Sequence, residues 1–232
     1  MSDADAVCTS VLDDGVLRIT MDDGKANALS LAMLGALHAA LDHAEAEGAA
    51  VLIAGRPERF SAGFDLNVLR ARGADALPML RSGFELAARL LVHPAPVVLA
   101  CTGHAVAMGC FLLTAADYRV GTEGDYRITA NEVALGLTMP YTAIELCRQR
   151  LTPSYHHRAL ALAEVFSPDR AVDAGFLDEA VTPDEVVGTA LAKARELAAL
   201  DRSAHAATKR RMRGGAAEAV RAAIDVEFPP AH

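Results

Sequence analysis

An α/β fold with a helical tail is predicted by three features of the 232-residue chain. Residues 7–21 read as strand, tight turn and strand, patterns of strand and helix alternate from residue 50 to residue 121, and the chain turns mostly helical from Pro140 onward. With 52% hydrophobic residues the chain can fill one substantial core. No interdomain linker interrupts the alternation, so residues 1–195 read as an α/β core and residues 196–232 as a C-terminal helical region.

Taken in order, residues 7–12 and 16–21 are strands, and Asp13-Asp14-Gly15 between them has hairpin-turn chemistry. Ser30 then caps a helix with apolar residues at Leu31, Leu34, Leu37, Leu41 and Ala44, which Gly48 ends. Residues 50–54 form a short buried strand, and a helix over residues 76–91 stops before Pro94 and Pro96. The strand 97–101, a loop, an apolar helix over 109–116 and the strand 118–121 follow. Helices are predicted over 141–150, 153–163, 168–174, 183–200 and 203–225, several of them opened by proline or serine. The last has apolar residues spaced for one face, as a packing or oligomer helix would.

Charge and cysteine usage exclude several classes of function. A balance of 22 Lys plus Arg against 30 Asp plus Glu, net −8, argues against a nucleic-acid surface, which needs clustered positive charge. Cys8, Cys101, Cys110 and Cys147 have neither metal-ligand nor disulfide-framework spacing. His104, His156 and His157 likewise lack the spacing of metal ligands, so no metal is expected. Residues 1–6 are acidic and carry no basic or apolar run, and no apolar stretch is long enough to span a bilayer, so a cytoplasmic protein without export signal or membrane partner is expected.

Two glycine-bearing segments carry the chemistry: Ser61-Ala62-Gly63-Phe64-Asp65-Leu66 and Gly103-His104-Ala105-Val106-Ala107-Met108-Gly109-Cys110. Each follows a short apolar strand and precedes a helical pattern, where glycine lets a ligand approach the main chain and a helix start leaves N–H groups free. The main-chain N–H groups of Phe64 and Met108 are the candidates for an oxyanion hole that would stabilise an enolate. Glu132 stands apart from both segments as a lone acid, which points to proton shuttling. Cys110, near a helix start, reads either as an activated thiolate or as a small buried residue.

These segments resemble the crotonase superfamily, also called the enoyl-CoA hydratase/isomerase family. Asn27-Ala28-Leu29, the SAGFDL loop, GHAVAMGCFLLTAADYRV and NEVALGLTMP carry the resemblance, which runs from about residue 7 to residue 181 and more loosely to the C-terminus. It implies a spiral of ββα units with C-terminal helices that build a homotrimer or a dimer of trimers. It places Phe64 and Met108 on the two oxyanion positions. It also implies an acyl-CoA thioester substrate, with coenzyme A entering as part of that substrate and no separate cofactor. Substrate contacts fall at Asn27, Ala62, Gly63, Asp65 and Gly109 in the matched loops, although an acid such as Asp65 also suits a helix cap. Phe111 and Met139 bear on pocket volume, and Lys25, Arg70 and the Lys209-Arg210-Arg211 cluster are candidates for the coenzyme phosphates.

Departures from the family's hydratases narrow the expected reaction. Those enzymes carry two glutamates that position water; here the first position is Phe111, and only the second survives as Glu132. Pro140 stands near the place where a glycine N–H helps to hold the water, and proline offers no donor. Both changes look like the mitochondrial-type isomerases that move a double bond from the 3 to the 2 position with one glutamate. Glu132 would remove a proton from C2 and return it at C4. The alternatives are a hydratase, if Glu123 or Asp125 reaches the site, and a non-catalytic acyl-CoA-binding subunit.

Overall fold

Asp14 and Gly15, at φ 48° and 73°, close the opening hairpin, because a tight turn between twisted strands needs left-handed backbone. They join β1 (Cys8–Asp13) to β2 (Val16–Met21) in antiparallel register. The structure, a computed structural model, describes residues 7–230. The acidic opening, residues 1–6, on which the expected lack of an export signal rests, lies outside the described residues.

Beyond the hairpin the chain repeats one motif. First come β3 (Ala28–Leu29) and α1 (Leu31–Glu47), then β4 (Ala50–Ala54), β5 (Glu58–Ser61), β6 (Gly63–Phe64), α2 (Leu66–Ala71) and α3 (Ala76–Val92). The next turn is β7 (Val97–Cys101), β8 (Gly103–Val106) and α4 (Met108–Ala115). It is followed by β9 (Tyr118–Thr122), β10 (Ile128–Thr129), a 3-10 turn at Val133–Leu135 and α5 (Tyr141–Arg148). The remaining elements are α6 (Pro153–Ala161), α7 (Pro168–Ala174), β11 (Glu179–Val181), α8 (Val186–Ala198) and α9 (Arg202–Glu227).

The first strand of each turn enters a six-stranded sheet of order β1-β2-β4-β7-β9-β11, and the second strands β5, β8 and β10 pair in parallel as a smaller sheet. The pairs β4 and β5, β7 and β8, and β9 and β10 thus each add one strand to both sheets, while β3 pairs with β6 as a separate two-stranded sheet. This is the ββα architecture that the resemblance implies.

Alternation along the strands of the large sheet serves two cores. Val51 and Ile53 of β4 join Leu17, Ile19, Val97 and Leu99 under α1 and α3, while Ala50, Leu52 and Ala54 face Val186, Ala190 and Ala194 of α8. α1 begins where the Ser30 side chain accepts from the Met33 N–H at 3.2 Å, and ends at Gly48 with φ 65°. The division expected at residue 195 falls inside α8.

α9 lies on α3 and α5 and is pinned by ion pairs at its middle and by contacts at its end. Asp117 accepts from the Val97 N–H at 2.8 Å, from Arg213 at 3.0 Å and from the Lys209 ammonium. Lys209 is only 5% exposed, and burial pulls its pKa below the usual lysine value despite that carboxylate. Replacing one partner of such a pair leaves an uncompensated buried charge, so Lys209 belongs to the scaffold.

Several elements fall where the sequence reads as loop. β3, β6 and β10 are two residues each, and β5 and β8 are four. Such lengths cannot display period-two alternation, and their pairing comes from neighbouring turns of the spiral. β11 likewise joins β9 ahead of α8, which starts at Val186 rather than at Pro183. Among the described residues no helix is long and apolar enough to cross a membrane.

Candidate active site

The spiral brings the second-strand ends of three successive turns side by side. β5 ends at Ser61, β8 at Val106 and β10 at Thr129, so Phe64, Met108 and Glu132 each follow a strand end by two or three residues. Neighbouring strands lie about 4.8 Å apart. Residues remote in sequence therefore meet at one edge of the small sheet, and the Ala107 N–H donating to Thr129 O at 2.9 Å ties the second turn to the third.

Close backbone approach explains two of the glycines. A Cβ on Gly63, where φ is 86°, would lie 2.9 Å from Ala107 Cβ and 3.3 Å from Met108 N. The main chain entering Phe64 thus runs against the amide that opens α4. A Cβ on Gly109 would stand 2.5 Å from Ser61 O and 2.9 Å from Ser61 Cβ, so only glycine lets the helix start rest on β5. Ala107 adopts φ 50° and ψ −125°, a conformation costly for a residue with a side chain. It turns the chain from β8 into α4, whose first amides have no intrahelical acceptor.

These elements border a cavity of about 290 Å³. Phe64, Phe84, Phe111 and Phe228 line it with several leucines, and its polar side chains are Asn131, Glu132 and Thr138. Among the described residues Glu132 is the only ionisable one in the lining. It precedes the 3-10 turn, where its carbonyl accepts from the N–H groups of Leu135 at 3.0 Å and Leu137 at 2.9 Å. One of its carboxylate oxygens, Oε2, is buried without a hydrogen-bond partner among the described residues. Desolvation raises the Glu132 pKa above its usual value, as a general base near neutrality requires.

A second concavity, of about 430 Å³, shares Ala62 and Val106 with the first. Arg59, Arg127, His104, Asp125 and Ala26 complete it. An apolar chamber with one acid therefore adjoins a cleft bearing two guanidinium groups, a layout matched to a ligand with an apolar tail and an anionic head.

Known proteins with this arrangement decide the lineage. Residues 12–228 match the family described as enoyl-CoA hydratase/isomerase. The chain belongs to the enoyl-CoA hydratase/isomerase family. An apo structure described as the enoyl-CoA isomerase of Mycobacterium tuberculosis is 48% identical with TM-score 0.91, over 96% of this chain and 99% of that one. Probable enoyl-CoA hydratase echA17 of Mycobacterium avium is 32% identical over 85% of this chain and 77% of its own length. Human mitochondrial enoyl-CoA delta isomerase 1 is 30% identical over 86% of this chain and 68% of its own. The relatives' names thus divide between hydration and isomerisation.

Within this member of the family the expected site residues separate into three groups. Glu132, Phe64, Phe111 and Ala62 line the cavity, and Gly63, Met108 and Gly109 form the backbone junction behind it. Asn27, Asp65 and Met139 make structural contacts and are not among the residues lining the cavity. The Asn27 amide donates to Met21 O at 2.9 Å and Arg59 O at 3.1 Å, bracing β5; Asp65 accepts from the Asn67 N–H at 2.8 Å as the cap of α2. Met139 is 8% exposed and its side chain joins the hydrophobic core, although Thr138 and Pro140 on either side line the cavity.

The basic candidates fall outside both concavities. Lys25 and Arg70 are exposed and line neither, and Lys209 is committed to Asp117 as described above. Arg59 and Arg127, which do line the cleft, were not singled out by sequence because nothing in their neighbourhood distinguishes them from ordinary surface arginines. Asn131 was within reach of sequence reasoning, since it precedes Glu132 in the NEVALG string. Burial pushes the Cys110 thiol well above its usual pKa and the nearby Cys147 and Glu132 charges add to the shift, which favours the small-residue reading over a thiolate. His104 has its Nδ1 occupied by the Arg127 N–H at 3.0 Å, and His156 contacts Ile144 O at 3.3 Å.

Proposed function

We propose that this family member is an enoyl-CoA isomerase that shifts a 3-enoyl-CoA double bond to the 2 position. The observation that carries the reading is the solitary acid: Glu132 is the one proton-exchanging side chain in the cavity lining. Adding water needs a second group to orient and activate it, and the ring of Phe111 offers none. Asp125 lies in the neighbouring cleft and Glu123 is exposed, so neither shares the chamber with Glu132.

In this mechanism the carboxylate of Glu132 takes a proton from C2, the C2–C3 double bond forms as electrons flow through a dienolate, and the neutral acid returns the proton at C4. The N–H groups of Phe64 and Met108 hold the thioester oxygen while it carries negative charge. Charge is conserved and no other reactant is consumed. The nearness of the Gly63 backbone to Met108 N supports a shared binding point for that oxygen. A homotrimer or dimer of trimers is the assembly that the resemblance supports, and sedimentation would measure it.

Incubation with 3-enoyl-CoA in deuterated water tests the reading. Formation of 2-enoyl-CoA without 3-hydroxyacyl product is expected. A hydroxyacyl product formed at a comparable rate would establish a hydratase, and tight binding without turnover would establish a binding subunit.

The cleft makes a separate prediction about the substrate's head. Arg59 and Arg127 have no carboxylate within ion-pair distance among the described residues; Arg59 spends one donor on Glu58 O at 2.9 Å, which leaves the remaining guanidinium donors to meet phosphate oxygens. Replacing both by serine should weaken acyl-CoA binding about tenfold at low salt, and less at high salt. Affinity for the matching acyl-pantetheine, which lacks the nucleotide, should not move. Equal losses for both ligands would remove the two arginines from this role.

A further inference from the structure

The C-terminal end of α9 supplies a wall of the chamber, and we infer that Phe228 is the residue that sets which acyl-chain lengths the protein accepts; this rests on the acyl-CoA reading above. Phe228 lines the cavity, is 8% exposed, and lies parallel to Phe84 with ring centroids 5.3 Å apart and an interplanar angle of 8°. Phe84 in turn stacks on Phe111 at 6.4 Å and tilts against Phe64 at 5.9 Å. Through Phe84 the four rings make a continuous apolar part of the lining.

Chain ends usually fray, and a frayed residue could not limit a pocket. Here the end is clamped from two directions. The Glu227 carboxylate accepts from the N–H groups of Tyr141 at 2.8 Å and Thr142 at 3.1 Å and from the Thr142 hydroxyl at 3.1 Å, which caps the start of α5. On the other side Arg81 of α3 donates to Phe228 O at 2.9 Å and to Asp225 at 2.8 Å. These contacts fix the backbone that carries the ring without using the ring itself. Phe84, Phe111 and Phe228 all join the hydrophobic core, but Phe84 and Phe111 are 1% exposed while Phe228, at 8%, is the least enclosed of the three. Phe64 belongs to the oxyanion segment, which leaves Phe228 as the wall that can change size while the rest of the site stays in place.

Removing the ring should therefore lengthen the space open to an acyl tail, and each further methylene buried is worth about fourfold in affinity. The test measures binding of hexanoyl-CoA and dodecanoyl-CoA, saturated thioesters that cannot isomerise, to the full chain and to Phe228→Ala, Phe228→Leu and Phe228→Trp. The preference for dodecanoyl over hexanoyl thioester should rise about tenfold or more in Phe228→Ala, rise less in Phe228→Leu, and fall below the parent in Phe228→Trp. Should the alanine variant not fold, the leucine and tryptophan variants still move in opposite directions. A ratio that stays the same in the folded variants overturns the role of Phe228 and leaves the acyl-CoA reading intact. Failure of the parent protein to bind either thioester overturns both.

Discussion

Glu132→Gln is expected to lower isomerase turnover by about 10³-fold, within the range that a positioned general acid–base supplies, while acyl-CoA affinity changes little. Glutamine keeps the shape and the hydrogen-bonding reach of the side chain, so the cavity should retain its form. It cannot accept a proton from C2 at any accessible pH, and no other ionisable group lines the chamber to replace it. Single-turnover measurement with 3-enoyl-CoA, beside a binding isotherm for a saturated thioester, separates the two effects. A variant that keeps most of its turnover would transfer the chemistry to another residue.

Stability should move the other way. Burial raises the folded-state pKa of Glu132 above that of a free glutamate, so between the unfolded and folded pKa values the folded chain holds a proton that the unfolded chain has lost. Stability associated with this group is present below the unfolded pKa and declines as pH rises through the folded pKa. Glutamine removes that decline. The variant should therefore melt at a higher temperature than the parent at pH 8 and at about the same temperature near pH 4, and the parent's activity should show an acid limb displaced upward from that of an exposed glutamate.

Gly109→Ala is expected to cost about 10²- to 10³-fold in turnover, equivalent to the loss of one oxyanion donor, about 2.7–4 kcal/mol. The added methyl group would lie 2.5 Å from Ser61 O, and a backbone oxygen cannot rotate out of the way. The start of α4 must back off from β5, carrying the Met108 amide away from the segment that holds Phe64. Because the donors act mainly on the charged intermediate, kcat should fall far more than KM rises. Circular dichroism should show the fold retained. An equal change in both kinetic constants would mean that the junction merely shapes the pocket.

Much of this site could be read from the chain alone because its central parts are encoded locally. The opening hairpin follows from Asp14 and Gly15, the ends of α1 from Ser30 and Gly48, and the junction from glycines whose neighbours crowd them. Main-chain donors need only the right conformation, so short motifs such as those around Phe64 and Met108 are enough to nominate them. Burial of charged groups was not legible. Whether Lys209 reaches solvent or a carboxylate depends on Asp117, 92 residues away, and the same holds for Phe84 and Phe228, which meet only because α9 packs across α3. The orientation of Met139 is hidden for a related reason: in an irregular segment, adjacent residues need not face the same way, and Met139 packs in the core between Thr138 and Pro140, which line the cavity.

Each reactive position sits on a different turn of the spiral, just past the end of a strand in the small sheet. In the proposed mechanism the donors to the thioester oxygen come from two turns, and the acid comes from a third. A replacement on one turn can therefore alter where protons travel without rebuilding the grip on the carbonyl. Because a side-chain replacement leaves main-chain donors in place, an acid introduced at Phe111, in the same helix as Met108, would be the shortest path from the proposed movement of a double bond toward adding water across it.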